Sequence, residues 1–478
     1  MHIIKPRAYG IETEYACVLV RDGKNVPINM WPSNFLKRSL YYAAKDECVA
    51  TSDGRVWHPN GALTYVDIGE HPEHATAECR SVRDVVIYSQ AGDRLVRDLL
   101  ISAAHIEDMD IFLFKNNIAA TDVAEEENVV TFGCHENYML HYVDRSIYSN
   151  ASFASFIASR QIFAGSGYVD DHGIFYLSQR AYALGKKSVS DSETIPIGMK
   201  EENIKPRLHL TYGDSNLLDV AEFLKVGTMS LMIELIEAKK VPDIMCKYPK
   251  KNFWDIARYG AKTLFPLCSG GLISALEVQA RCLEAARRMV STSGFESPEI
   301  AAEMELVLTL WEQALNAIEH NDITWMIGRI DWATKGWLVH RELSKISKDD
   351  RVYRKPEVCR QIDIIYHSIM KSSMRDRIYA RFPERRITSD TEIDSAMHNP
   401  PQGTRAQYRS ALVWMTMVRC LQPAFMIDWH QAELRDGHRS YKFDMNDPLK
   451  TYEEDLVSAQ EEFNRWRFSD LSLFHDLE

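Results

Sequence analysis

The chain has 478 residues, 45% hydrophobic and 26% charged, with a formal net charge of −12. This is globular composition, long enough for one large core and a smaller unit, and its acidic balance argues against a general binder of nucleic acid or of anionic membranes. Nine scattered cysteines, with no CxxC pair, support neither a disulfide framework nor a zinc site and suit a reducing, cytoplasmic setting.

The N-terminus lacks the apolar stretch of a signal peptide. Residues 9–20 read as a strand, Asp22–Pro27 as a turn and Ser33–Ala44 as a short helix. Residues 62–79 read as two strands joined at Gly69–Glu73. Ser81, three residues before Asp84, opens a helix through about Ala104 in the manner of a capping box. Ile111–Lys115 is a short apolar run, Thr121–Asn128 an acidic loop, and Phe132–Val143 and Arg207–Tyr212 are further strands. The most apolar windows, Ala221–Ala238 and Ser410–Trp429, carry too many charged residues to span a membrane. Ser274–Val290, Ser297–His320 and Asp322–Leu343 have helical spacing, with Pro298 placed for a first turn. Ser389-x-x-Glu392 opens another helix, and His398–Arg405 is the best internal boundary. It divides the chain into 1–405 and a small C-terminal domain, 406–478. Strands early and helices late predict an α+β fold with an antiparallel sheet.

Strand side chains alternate between faces, so Glu12 and Glu14 share a face, as do Tyr65 and Asp67, and Thr76 and Glu78. Hard oxygen ligands on short strands suit Mg²⁺ and a nucleoside triphosphate; Glu12, Glu14, Glu73 and Glu78 are the candidate carboxylates and Asp67 is left as a base. The chain has no Walker A motif and no GxGxxG after a strand, so a nucleotide binds some other way. His71, His74 and His135 lack HExxH spacing and cysteine partners, and read as turn residues or supports of ligands rather than zinc ligands.

An ordered series from residue 9 to about 430 resembles the Pup–protein ligase family. It includes Gly10-Ile11-Glu12-Thr13-Glu14, Tyr65-Val66-Asp67, His71-Pro72-Glu73, Ala75-Thr76-Ala77-Glu78-Cys79, Gly133-Cys134-His135-Glu136-Asn137-Tyr138, Gly213-Asp214-Ser215-Asn216, Thr404-Arg405 and Asp428-Trp429. The resemblance implies a glutamine-synthetase-like (carboxylate–amine ligase) fold, a curved antiparallel sheet that cradles ATP and is flanked by helices, with a small C-terminal domain. It implies that ATP phosphorylates the C-terminal glutamate of a Pup-like modifier and that a lysine of a protein substrate then displaces phosphate. Carried over by position, Glu12, Tyr65 and Glu73 correspond to metal-binding residues, Asp67 to the base, and Thr76 and Trp429 to ATP contacts. Arg405 is a further candidate for phosphate.

Two positions depart from the family pattern. Leu63 stands where an ATP-contacting arginine is expected, with Arg405 and Arg207 the candidates to replace it, and His74 replaces an aromatic residue. The hydrolytic branch, a Pup deamidase/depupylase, remains an alternative, as do a small-molecule carboxylate–amine ligase and a degenerate site kept only to bind the modifier. The short span from Glu12 to Asp67 and the Ala77-Glu78-Cys79 ending resemble the ligase branch.

Overall fold

The computed structural model describes residues 2–26, 35–44, 48–51, 53–67, 71–119, 131–142, 151–170, 172–186, 198–200, 206–346, 355–421, 424–435 and 439–466. The expected acidic loop Thr121–Asn128 lies outside the described residues.

The centre is an eight-stranded sheet. In chain order its strands are β1 (Tyr9–Glu14), β2 (Val49–Ala50), β3 (Val56–Trp57), β4 (Leu63–Asp67), β5 (His71–Ala75), β6 (Cys134–Met139), β7 (Gly198–Lys200) and β8 (Arg207–Leu210). Across the sheet they run β7-β8-β6-β1-β5-β4-β3-β2, every neighbouring pair antiparallel. The α+β expectation therefore holds.

The strand expected over 9–20 divides at Tyr15, and Ala16–Arg21 pairs with Asp110–Phe114 in a separate three-stranded sheet. Tyr15 is the pivot: its ring is buried and its hydroxyl donates to Asp93 at 2.9 Å. The expected joint at Gly69–Glu73 also shifts, because His71, Pro72 and Glu73 already belong to β5. Thr76 and Glu78 follow the end of that strand, where Thr76 N donates to Ile11 O and Cys79 bridges Tyr9.

One face of the sheet is closed by helices. Ile11, Tyr138, Leu208 and Leu210 join a core with α1 (Val82–Ile106), α2 (Ala151–Ala164), α3 (Asp219–Glu237), α4 (Ala275–Thr292) and α5 (Pro298–Glu319). The capping signals work as read: Ser81 accepts from Asp84 N at 3.0 Å, and Ser297 caps α5 with Pro298 in its first turn. The helix expected over Asp322–Leu343 is two, Ile323–Met326 and Asp331–Ile346. Its break places the Asp331 carboxylate on Asn216 (2.9 Å) and Tyr366 (2.7 Å) inside the protein. Charge on the closed face is paired: Arg160 donates twice to Glu136, at 2.7 and 2.6 Å, and Tyr138 donates to the same carboxylate. Among the described residues no helix is long and apolar enough to cross a membrane.

The last described segments form a satellite: α6 (Ala406–Val418), a three-stranded sheet of β9 (Phe425–Ile427), β10 (Gln431–Arg435) and β11 (Ser440–Asp444), and α7 (Glu453–Arg465). Its core is shared with the large sheet, since Tyr408, Leu412 and Phe425 cluster with Val49, Trp57 and Leu63. The satellite is thereby docked on the β2–β4 edge.

The contact between α1 and β5 is tight. A Cβ placed on Gly92 would lie 2.4 Å from His74 Cδ2 and 2.7 Å from its Nε2. His74 cannot easily yield, because it is buried with Nδ1 held 2.8 Å from Thr64 Oγ1. Gly92→Ala should therefore cost about 1–3 kcal/mol of stability, read as a lower denaturation midpoint in urea. An unchanged midpoint would mean that this interface is loosely packed.

Candidate active site

The other face of the sheet carries the chemistry. Alternation places Glu12 and Glu14 of β1, Tyr65 and Asp67 of β4, and Glu73 of β5 on one side. Register then aligns them across strands. Glu73 lies opposite both Glu14 and Tyr65, while Glu12 lies opposite Ala75 and His135. Carboxylate oxygens of Glu14, Asp67 and Glu73 all fall within 4.8 Å of one another.

These groups repel, and their protonation records it. Burial, then the charges of Glu12, Glu14 and Asp67, push the Glu73 carboxyl from its ordinary 4.5 up to about 8, against a hydrogen bond from Tyr65. Burial and the same acids push the Tyr65 phenol well up, so it stays protonated and donates to Glu73. Glu12 goes the other way. Burial acts to raise it, but His135, His209 and Arg207 outweigh that and hold it low. His135 Nδ1 lies 3.3 Å from Glu12 Oε2, Asn137 Nδ2 donates to Oε1 at 3.2 Å, and Arg207 Nη1 is 3.6 Å away. Glu14 is also lowered. Burial opposes this, but His71 at 3.4 Å and the Gly133 backbone prevail. Gly133 must be small here, because a Cβ would sit 2.6 Å from Glu14 Oε1.

The donor set fits a hard divalent cation. Several carboxylate oxygens and one neutral phenol converge, and the only cationic groups within ion-pair distance of Glu14 and Glu73 among the described residues are the imidazoles of His71 and His135. Beside them opens a pocket of about 690 Å³, counted to its mouth. Gly10, Glu12, Thr76, Arg207, Arg405 and Trp429 are among its walls. Thr76 Oγ1 accepts from Ile11 N at 3.1 Å. Arg405 spends Nε on Glu78 (2.7 Å) and Nη1 on His430 and the Met445 and Asn446 carbonyls; its Nη2 has no protein partner among the described residues.

Of the residues singled out in the sequence, Glu12, Glu14, Tyr65, Asp67 and Glu73 come together, and Thr76, Arg405 and Trp429 line the adjoining pocket. Glu78 also borders the pocket, but both of its oxygens accept from arginines, one from Arg405 and the other from Arg409. Burial would raise its carboxyl; the two guanidiniums hold it at about 2. Leu63 lies in the row of Ala75 and Glu12, and the cation nearest Glu12 is Arg207 of β8. His135, read from the sequence as a turn residue or a support of ligands, lies opposite Glu12 and supports it, and Asn137, which the sequence reading did not single out as a site residue, shares its strand parity and also meets Glu12. It also missed Arg409, one helical turn after Arg405 and so on the same face of α6.

A profile of the family described as Pup-ligase protein matches residues 7–433. The chain is 30% identical over 449 residues to the Pup–protein ligase of Kineococcus radiotolerans, covering 90% of this chain and 94% of that one. It is 32% identical over 467 residues to the Pup–protein ligase of Mycolicibacterium smegmatis, covering 94% and 97%. Its fold matches the complex between the prokaryotic ubiquitin-like protein Pup and its ligase PafA with a TM-score of 0.83 at 25% identity, over 99% of this chain and 95% of that one. The fold of the Pup ligase PafA in complex with ADP matches with a TM-score of 0.76 at 24% identity, over 92% and 96%.

The raised Glu73 carboxyl sets a pH dependence. Between its ordinary 4.5 and about 8 the folded protein holds a proton that the unfolded chain has lost. The metal-free protein must therefore lose stability as pH rises through that window. Glu73→Gln removes the penalty. The variant should melt about 2–4 °C above the parent at pH 8 and level with it near pH 4.5, by differential scanning calorimetry without metal. Adding Mg²⁺ at pH 8 should stabilise the parent and not the variant. Equal melting curves at pH 8 would show that Glu73 is not crowded.

Proposed function

The chain belongs to the Pup-ligase family, and we propose that it is an ATP-dependent ligase that joins the C-terminal glutamate side chain of a Pup-like modifier to lysines of protein substrates by an isopeptide bond. The observation that carries the reading is the position of Asp67. It lies on the open face of the sheet, within reach of the Glu14 and Glu73 carboxylates, and Glu12 of the same face lines the adjoining pocket.

In this reading Trp429 offers a flat face to adenine, while the Thr76 hydroxyl and Arg405 Nη2 meet phosphate oxygens. Glu78 holds the Arg405 guanidinium in place. Arg207, beside Glu12 in the pocket wall, supplies with Arg405 the positive charge that Leu63 does not. Mg²⁺ held by Glu12, Glu14, Tyr65 and Glu73 would neutralise the triphosphate and favour attack on the terminal phosphorus.

The modifier's carboxylate oxygen forms a bond to that phosphorus, and ADP leaves. The lysine amine then attacks the acyl carbon, phosphate leaves with the bridging oxygen, and the amide bond forms. A lysine ammonium has no lone pair, so a base must take its proton, and in this reading that base is Asp67. Residues 1–405 form the catalytic unit in this scheme, and 406–478 supply Trp429 from the C-terminal unit. All nine cysteines are free thiols, which suits a cytoplasmic enzyme.

The direct test combines the protein with ATP, Mg²⁺, a modifier ending in Glu and a lysine-bearing protein. A covalent adduct on a denaturing gel is expected, with little ammonia from a modifier ending in Gln. Rapid ATP-dependent ammonia release without adduct would favour the deamidase branch instead. Asp67→Asn should retain ATP binding by calorimetry and lose conjugation by roughly 100-fold or more. Near-normal conjugation in that variant would transfer the proton-accepting role to another group.

A further inference from the structure

We propose that Arg409 is a positioning residue for the nucleotide, acting through Trp429; the proposal rests on Trp429 being the platform for the base. Arg409 is fully buried on α6, one turn beyond Arg405. Its guanidinium carbon lies 4.6 Å from the centroid of the Trp429 ring and 5.4 Å from that of Trp57. Trp57 meets Trp429 edge-on, with centroids 5.0 Å apart. Trp429 lines the pocket and Arg409 does not, so the cation backs the ring from its buried side.

Every guanidinium nitrogen of Arg409 is used. Nε donates to the Gly61 carbonyl at 3.0 Å. Nη1 donates to the Trp429 carbonyl at 3.1 Å and to Glu78 Oε1 at 3.3 Å. Nη2 donates to Glu78 Oε2. One side chain thus ties together the turn before β4, the segment after β5 that carries Thr76, and the link between β9 and β10 that carries Trp429. The segment after β5 and the link between β9 and β10 are two walls of one pocket, and no strand pairing joins the β9–β10 link to the segment after β5.

The consequence is pre-organisation. A tryptophan on a short link between strands has rotamer freedom that a stacked base must remove, and that ordering weakens binding. Arg409 and Trp57 remove it in advance. Lysine cannot replace the arginine: a single ammonium can pair with Glu78, but it lacks the planar fork that reaches two carbonyls while lying over a ring. Arg409 touches no substrate in this scheme, so its loss should act on ATP binding and not on the chemical step.

The test is a double-mutant cycle on the full chain with Arg409→Lys, Trp429→Ala and the pair, measuring the KM for ATP, the KM for the modifier, and kcat. Arg409→Lys keeps a cation for Glu78, which protects folding. It should raise the ATP KM roughly tenfold while kcat and the modifier KM stay within about twofold. In the double variant the ATP KM should be no higher than in Trp429→Ala alone. A purely structural role would lower kcat per mole of protein with the ATP KM unchanged, and that result overturns the proposal, as does full additivity in the pair. If Trp429→Ala raises the ATP KM and Arg409→Lys does not, the positioning role alone fails. If Trp429→Ala leaves the ATP KM unchanged, the platform reading fails and takes this proposal with it.

Discussion

Like charges held together against their repulsion are the constraint on which this molecule depends. Three carboxylates with oxygens within 4.8 Å would, if all were ionised, repel one another by on the order of 3 kcal/mol per pair at an intermediate dielectric; Glu73 relieves part of this by keeping its proton up to about pH 8, and no flexible loop would hold the group together. Strand pairing does. The register of β1, β5 and β4 fixes Glu14, Glu73 and Tyr65 in one row, and backbone hydrogen bonds bear the strain. What the protein gains is a concentrated negative site that a divalent cation can neutralise while it also holds phosphate oxygens.

A sheet that bears such a load needs a rigid backing, and much of the motif-bearing sequence is spent on it. Asp214 accepts from the Ser166 and Gln179 backbone and from the Ser178 hydroxyl, with distances of 2.7 to 3.1 Å. Asn117 exchanges hydrogen bonds with Ser215, and Lys225 donates to the Asp214 carbonyl at 3.0 Å. The Glu136–Arg160 pair sits directly behind His135 and Asn137, which meet Glu12 on the other face. These buried polar groups touch no proposed substrate. They lock the strands that present the ligands, the supporting role that a precise site requires.

Which parts of this were legible in the sequence follows from the physics of pattern. Period-two alternation is local, so the shared face of Glu12 and Glu14 and of Tyr65 and Asp67 is visible in the residues alone, as are the caps at Ser81 and Ser297. Helices α2 and α3 gave no such signal. Asp219–Ile236 is buried all round, and a helix without a polar face has no amphipathic period to read. Long-range pairing is equally silent. Glu78 resembles the other acidic ligands until the chain returns more than 300 residues later with Arg405 and Arg409 to occupy both of its oxygens. The turn of the chain at Tyr15 is set by Asp93, far along the sequence. Family resemblance supplied the proposed roles of Thr76 and Trp429, which no spacing rule contains; both line one pocket.

The central claim is that the open face of the sheet activates a carboxylate by transferring phosphate to it. Isotope transfer tests that claim most directly. A modifier whose C-terminal glutamate side chain carries ¹⁸O in both carboxylate oxygens is conjugated to a lysine-bearing protein with unlabelled ATP, and the released phosphate is analysed by mass spectrometry. The account predicts one ¹⁸O atom in each phosphate released, because the bridging oxygen leaves with phosphorus when the amine attacks. Conjugation that proceeds with unlabelled phosphate would contradict it.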